Sequence, residues 1–239
     1  GLGLNAKLNY QHPFYEGTHR ALERNGIEVG LLLQSSPVSA HPGAYVKLTP
    51  LTVLEVELGG QALSYFGFLN SALLFPSEDA DWSISGQRRR RDAVGLTSET
   101  GWSAYVLSRM KLMVNAVVLV TEFEYRHLSL GIDKENTWYD PERHQLMRQT
   151  DTYHRSLTIL GWMFGNPASD SDMLASALWH EWSGIESSKR TLGGFAYVRQ
   201  RRQERYHTRW LVLAAMYLQD KYQKYEPFGA FVWQRAWTL

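Results

Sequence analysis

The sequence predicts an all-β protein: a closed antiparallel transmembrane β-barrel of about twelve strands, forming one domain over residues 1–239. Three observations predict it. Hydropathy alternates with period 2 from end to end, the alternating runs are long, and aromatic residues recur towards their ends. No apolar run approaches the roughly 18 to 20 residues that a spanning helix needs, so any crossing must be made by strands.

In the first strand Leu2, Leu4, Ala6, Leu8 and Tyr10 share one face, and Asn5, Lys7, Asn9 and Gln11 the other. In the second, Ile27, Val29, Leu31 and Leu33 oppose Glu28, Gly30 and Gln34. The stretch Gly43 to Tyr65 reads as a hairpin turning at Thr49-Pro50-Leu51-Thr52, because Pro fixes φ and cannot continue a ladder. Its apolar face holds Ala44, Val46, Leu48, Leu54, Val56, Leu58 and Ala62; its polar face holds Lys47, Glu55, Glu57 and Gln61, with Lys47 opposite Glu55.

Phe66 to Phe75 reads as a short strand, followed by a solvated loop through Pro76 and the Arg88–Arg91 run. A second hairpin, Trp102 to His127, turns at Asn115-Ala116 and sets Arg109 across from Glu122. Arg109, Lys111, Glu122, Glu124 and Arg126 share its polar face. Strands follow at 152–164, 173–183, 191–202 and 207–220, with a last one at 228–239. Within 173–183 either His180 or Glu181 could take the polar side, and the final strand is aromatic on both faces. An even strand number returns both termini to the periplasmic side, with 76–100 and 129–150 as long extracellular loops and short inner turns near Asn115 and at 165–172.

Alternation says that one face is dry, not which environment touches it. A soluble sandwich or lipocalin-like barrel would turn the apolar rows inward. Charges in mid-strand and aromatics at Tyr10, Trp102, Tyr125, Trp162, Phe164, Trp210 and Trp237 favour the inverted arrangement, with ionic groups inside and interfacial girdles outside. The expected lumen lining is Lys7, Glu28, Lys47, Glu55, Glu57, Arg109, Lys111, Glu122 and Glu124. Closure follows, since an open sheet edge in hydrocarbon leaves backbone groups unsatisfied.

With 25 Lys and Arg against 24 Asp and Glu, the net charge of +1 creates no field for nucleic acid. Cysteine is absent, which excludes disulfides and thiolate metal sites. The eight His show no His-x-His or His-x-x-x-His spacing, so neither a metal nor another cofactor is expected. The opening Gly-Leu-Gly-Leu-Asn-Ala-Lys has no signal-peptide character and reads as a mature terminus.

Gly43-Ala-Tyr-Val-Lys-Leu-Thr-Pro-Leu-Thr-Val-Leu-Glu-Val-Glu-Leu, Leu69-Asn-Ser-Ala-Leu-Leu-Phe-Pro-Ser-Glu-Asp-Ala and Arg190-Thr-Leu-Gly-Gly-Phe-Ala-Tyr-Val resemble a family of outer-membrane barrel proteins of myxobacteria and related proteobacteria. The resemblance implies a barrel in the bacterial outer membrane and carries over no catalytic residues. The chain departs from many outer-membrane barrels in ending Ala236-Trp237-Thr238-Leu239 rather than in Phe.

One nucleophile-like arrangement stands out. His154-Arg155-Ser156 places His154 and Ser156 on one strand face, with Glu124 on the preceding strand as a third partner, as in outer-membrane lipid hydrolases. The expected face is the lumen, where a polar wall is the simpler reading. Arg88–Arg91 and Arg199–Arg205 could clamp lipopolysaccharide phosphates or, through Arg199 and Arg201 in the lumen, favour anions; a solvated loop and an acid-paired rim are the simpler reading. The favoured function is an occluded barrel acting as a scaffold in an envelope assembly. Its partners would be outer-membrane lipid, lipopolysaccharide and other envelope proteins. A small-solute channel and a lipid hydrolase are the alternatives.

Overall fold

The computed structural model describes residues 4–15, 25–67, 73–95, 97–134, 136–141, 143–165, 170–185, 188–202, 206–222 and 226–237. Among them, strands form at β1 (Leu4–His12), β2 (Gly26–Ser36), β3 (Ser39–Leu51), β4 (Leu54–Tyr65), β5 (Leu73–Phe75), β6 (Glu99–Val114), β7 (Val117–Leu130), β8 (Thr137–Asp140), β9 (Gln145–Arg148), β10 (Thr150–Gly165), β11 (Asp170–Ser183), β12 (Arg190–Arg202), β13 (Tyr206–Gln219) and β14 (Pro227–Trp237). One helix, α1, covers Ile84–Val94. An 11-stranded sheet runs β1-β2-β3-β4-β6-β7-β10-β11-β12-β13-β14, and a 3-stranded sheet runs β5-β8-β9. Every pair whose register is described is antiparallel.

The protein is therefore all-β around one large meandering sheet. Each long alternating run became a strand of it. The Phe66–Phe75 stretch did not: its described part, Leu73–Phe75, pairs with β8 in the small sheet, while 68–72 lie outside the described residues. Leu2, residues 166–169 of the 165–172 turn, residues 203–205 of the Arg199–Arg205 tract and the last two residues of the final strand also lie outside them.

Contacts divide the chain into two compact units. The first comprises Gly1–Ser108, Phe123–His154 and Trp182–Lys189. Here β1 to β4 carry Leu8, Val29, Leu31, Val46 and Leu58 on an exposed face, Leu8 at 74% and Leu31 at 60%, while Glu28 on the other face is 7% exposed. The hairpin turn lies at Thr52-Val53 rather than around Pro50. Pro50 stays in β3, where a register shift between Leu48 and Leu51 accommodates its missing N–H. Lys47 accordingly faces Glu57 on β4 and Glu28 on β2, not Glu55. Moving the pairing by two residues preserves the side-chain faces, so the polarity pattern survives the correction.

Towards one end of β4 and β7 the charged face becomes a dry core. Leu63, Tyr65, Leu128 and Leu130 pack with Ile132, Trp138, Met147 and Tyr153, and Leu74 seals the cluster. Trp138 is fully buried, with its indole N–H donating to the Arg148 carbonyl at 3.0 Å. The stretches expected as solvated loops, 76–100 and 129–150, thus supply α1, β8 and β9. Ser83 caps α1 by accepting from the Gly86 N–H at 3.2 Å, and Gly95, at φ 75°, ends it by donating to the Arg91 carbonyl.

The second unit comprises Arg109–Glu122, Arg155–Glu181 and Arg190–Leu239. The Asn115-Ala116 turn and the Arg109–Glu122 pair stand as expected, with Asn115 at φ 54°. Leu160, Leu174, Leu178, Phe195, Val212 and Phe231 are exposed, Phe195 at 75%. The opposite face buries Ala175, Leu192, Ala196 and Val198 beside Glu181 and Arg190. Glu181 therefore takes the polar side of β11 and His180 the exposed side.

Candidate functional site

The buried face of the first unit is a continuous ionic and aromatic network. Period 2 places Glu28 and Gly30 on one face of β2, and Glu57 and Gly59 on one face of β4. Each glycine receives a tyrosine ring: a Cβ on Gly30 would lie 2.7 Å from Tyr45 Cε1, and one on Gly59 would lie 2.4 Å from Tyr105 Cζ. The two hydroxyls reach the paired acids, Tyr45 donating to Glu28 Oε1 at 2.6 Å and Tyr105 to Glu57 Oε1 at 2.7 Å. Lys47 Nζ lies 2.5 Å from Glu28 Oε2. Lys7 Nζ lies 3.6 Å from Glu57 Oε2 and 4.6 Å from the Tyr45 ring centre.

Arg126 extends the network. It donates to Glu124 Oε1 at 2.8 Å, to Ser103 Oγ at 3.0 Å and to Gln61 Oε1, and its guanidinium lies 4.5 Å from the Tyr105 ring centre. Gln61 donates onward to Gln34 Oε1 at 2.8 Å. Buried charges are tolerated only when paired and hydrogen-bonded, and these are both. Nothing in the arrangement generates a nucleophile: its acids already accept from tyrosines or cations.

In the second unit Glu122 joins two arginines, accepting from Arg109 Nε at 2.8 Å and Arg155 Nη2 at 2.6 Å. Arg190 lies 3.6 Å from Glu181, 3.3 Å from Asp220 and donates to the Tyr217 hydroxyl at 3.0 Å. Of the remaining expected lining residues, Glu55 is half-buried beside Glu57 in sequence, and Lys111 is exposed. Tyr45, Tyr105 and Arg190 were not in the expected set; Arg126 was expected on the polar face of its hairpin but not in the lining. The signal for the tyrosines was the repeated Glu-x-Gly, which marks where an acid and a ring-sized gap share a face.

The sheet separates the expected catalytic group. Glu124 is buried with Arg126, whereas His154 lies on the opposite face, stacked on Trp182 at 4.7 Å and edge-on to Tyr125 at 4.9 Å. His154 Nδ1 is buried without a hydrogen-bond partner among the described residues. Ser156 shares the His154 face by alternation, which is the exposed face of β10 and not the charged one. Arg199 and Arg201 are also on the exposed face, beside Asp172 at 3.8 Å and Asp170 at 2.8 Å respectively. They do not join Arg190, because alternation along β12 turns them away from it.

Around the small sheet the charges clamp loops to strands. Glu78 accepts from Arg148 through both oxygens, which holds its carboxyl below the ordinary value and raises the Arg148 guanidinium. Hydrogen bonds from Ser83, with Arg89 at 2.5 Å, lower the Asp81 carboxyl. Open hollows of about 190 and 290 Å³ flank α1, the first lined by Leu74, Arg90, Val94, Gly95, Thr97 and Asn136. Among the described residues no group of three His, Asp or Glu could hold a metal ion, and no helix is long and apolar enough to cross a membrane. Comparisons with protein-family models, curated proteins and solved structures found no match to this chain.

Proposed function

We propose that the chain is an integral β-barrel protein of a bacterial outer membrane, of the kind its resemblance implies, and that its occluded interior makes it a structural component of an envelope assembly. One observation carries the reading: the side-chain distribution is inverted. Leucines and aromatics stand in rows on the exposed face while glutamates and arginines are buried opposite them. In water such rows forgo burial at roughly 25 cal/mol per Å². Against acyl chains they match their surroundings, and strands of 9 to 16 residues meet the ~9 to 11 that a tilted crossing needs.

The same physics asks the sheet to close in a membrane. β1 and β14 are the two ends of the large sheet, and hydrocarbon does not tolerate their unpaired backbone groups. We propose that these edges join in the membrane. Eleven alternating strands leave β1 and β14 pointing the same way, so the seam is parallel, unlike every described pairing.

Occlusion rests on the paired charges and on the Trp138 core, which packs on the buried face at one end of β4 and β7. The test is fractionation followed by reconstitution. The protein partitions into outer membranes, needs detergent for release, shifts in gel mobility on heating and leaves a planar bilayer electrically silent. Recovery as a soluble monomer without detergent overturns the membrane reading; steady single-channel steps overturn occlusion and replace scaffold by channel.

A further inference from the structure

Four polar side chains form a row across β10 to β13 on the exposed face of the second unit. His180 Nδ1 lies 2.7 Å from Thr191 Oγ1, and the Thr191 hydroxyl donates to Gln219 Oε1 at 3.4 Å. Since the threonine proton points at Gln219, its oxygen accepts from His180, which places the imidazole proton on Nδ1 and the lone pair on Nε2. The bulge between Thr191 and Leu192 brings Gln219 opposite Thr191.

The fourth member is Ser156. Gly161 abuts Ala175, a Cβ there lying 3.1 Å from the alanine's, and Ser176 donates to the Leu160 carbonyl at 3.4 Å. Both contacts set the same antiparallel register, in which Ser156 faces His180. Directly opposed side chains have Cβ atoms roughly 4.5 to 5.5 Å apart, within reach of an Oγ–H···Nε2 hydrogen bond. Ser156, His180 and Thr191 are half-buried and so accessible. Beside the row, Leu160, Leu178, Phe195 and Leu218 form an exposed apolar field.

We infer that Ser156 is a nucleophile and His180 its general base, with Thr191 and Gln219 as positioning residues, in a site that hydrolyses carboxylic esters of membrane lipids. Ser156 Oγ bonds to the ester carbonyl carbon as its proton passes to His180 Nε2. The carbon–alkoxy bond then breaks, and the departing alcohol takes that proton. A water molecule, deprotonated by Nε2, attacks the acyl-serine; the carbon–Oγ bond breaks, Oγ regains the proton and a fatty acid leaves. The apolar field receives the acyl chain, an assignment that rests on the membrane reading above.

The experiment uses the whole chain in detergent micelles with a fluorophosphonate probe, followed by release of fatty acid from phosphatidylethanolamine vesicles. The wild type is labelled and Ser156→Ala is not. His180→Ala slows labelling by about 100-fold or more, as loss of a general base does. Thr191→Val slows it about tenfold and Thr191→Ser restores it. His154→Ala leaves labelling unchanged, which separates the cross-strand base from the neighbour two residues away. Heat-dependent gel mobility verifies that each variant is folded. An unlabelled wild type, or label persisting in Ser156→Ala or His180→Ala, overturns the site while leaving the membrane reading intact. Ser156-dependent labelling of a protein that stays soluble without detergent, with no release from vesicles, keeps the nucleophile and overturns the lipid substrate.

Discussion

Tyr45 and Tyr105 each fill a glycine gap with the ring and stabilise a buried acid with the hydroxyl, so the two functions can be separated by substitution. Gly30→Ala drives a Cβ to 2.7 Å from the Tyr45 ring and is expected to destabilise the protein by about 1 to 3 kcal/mol. Tyr105→Phe keeps the ring but removes a bond to the buried Glu57, at a cost of about 1 to 3 kcal/mol. Both are measured as shifts in the urea midpoint of micelle-refolded protein; a change below about 0.5 kcal/mol, no more than an ordinary surface substitution gives, removes the network as a source of stability. Glu78 lies between β5 and α1, away from the large sheet. Folding lowers its carboxyl below 4.5, so its contribution is complete above that pH and fades as pH falls through the folded value. Hydrogen exchange around Leu73–Phe75 and Gln145–Arg148 should therefore quicken on acidification, and Glu78→Gln should remove that dependence. Equal acid sensitivity in the variant contradicts the clamp.

The long strands were legible because alternation is a property of single residues, and a sheet buried on one face cannot slip by one without exposing every charge. The Asn115 turn and the Arg109–Glu122 pair were read directly on that basis. The small sheet was not. β5, β8 and β9 are 3 or 4 residues long, too short to alternate, and the burial of Trp138, Leu146 and Met147 depends on packing between segments far apart in sequence. For α1 the signals existed in Ser83 and Gly95, but the arginine run and Gly86 imitate a solvated loop. At the proposed ester site Ser156 was visible and its partner was not, since His180 meets it only through the β10–β11 register. The role of the Trp138 cluster is testable at this scale. Trp138→Ala removes the fully buried centre of the cluster and should cost about 3 to 5 kcal/mol. Conductance steps appearing in this variant, against a silent parent, identify the Trp138 cluster as the plug; silence in both assigns occlusion to the paired charges alone.

At the scale of the whole molecule the account makes two claims, that the sheet closes and that its apolar face meets lipid. The absence of cysteine makes both accessible by engineered thiols. A Leu8→Cys variant combined with Phe231→Cys should form an intramolecular crosslink across the β1–β14 seam, whereas disulfide-linked dimers of Leu8→Cys alone would show that edges pair between copies. Leu31→Arg should impair insertion by about 2 to 4 kcal/mol, the cost of a charge against mid-bilayer lipid. The most direct measurement is nitroxide accessibility at Leu31→Cys, Leu58→Cys and Phe195→Cys in reconstituted vesicles. The account predicts strong relaxation by oxygen dissolved in the bilayer and protection from a water-soluble nickel chelate at all three. Chelate-dominated relaxation at these positions would contradict it, because the leucine and phenylalanine rows would then stand in water.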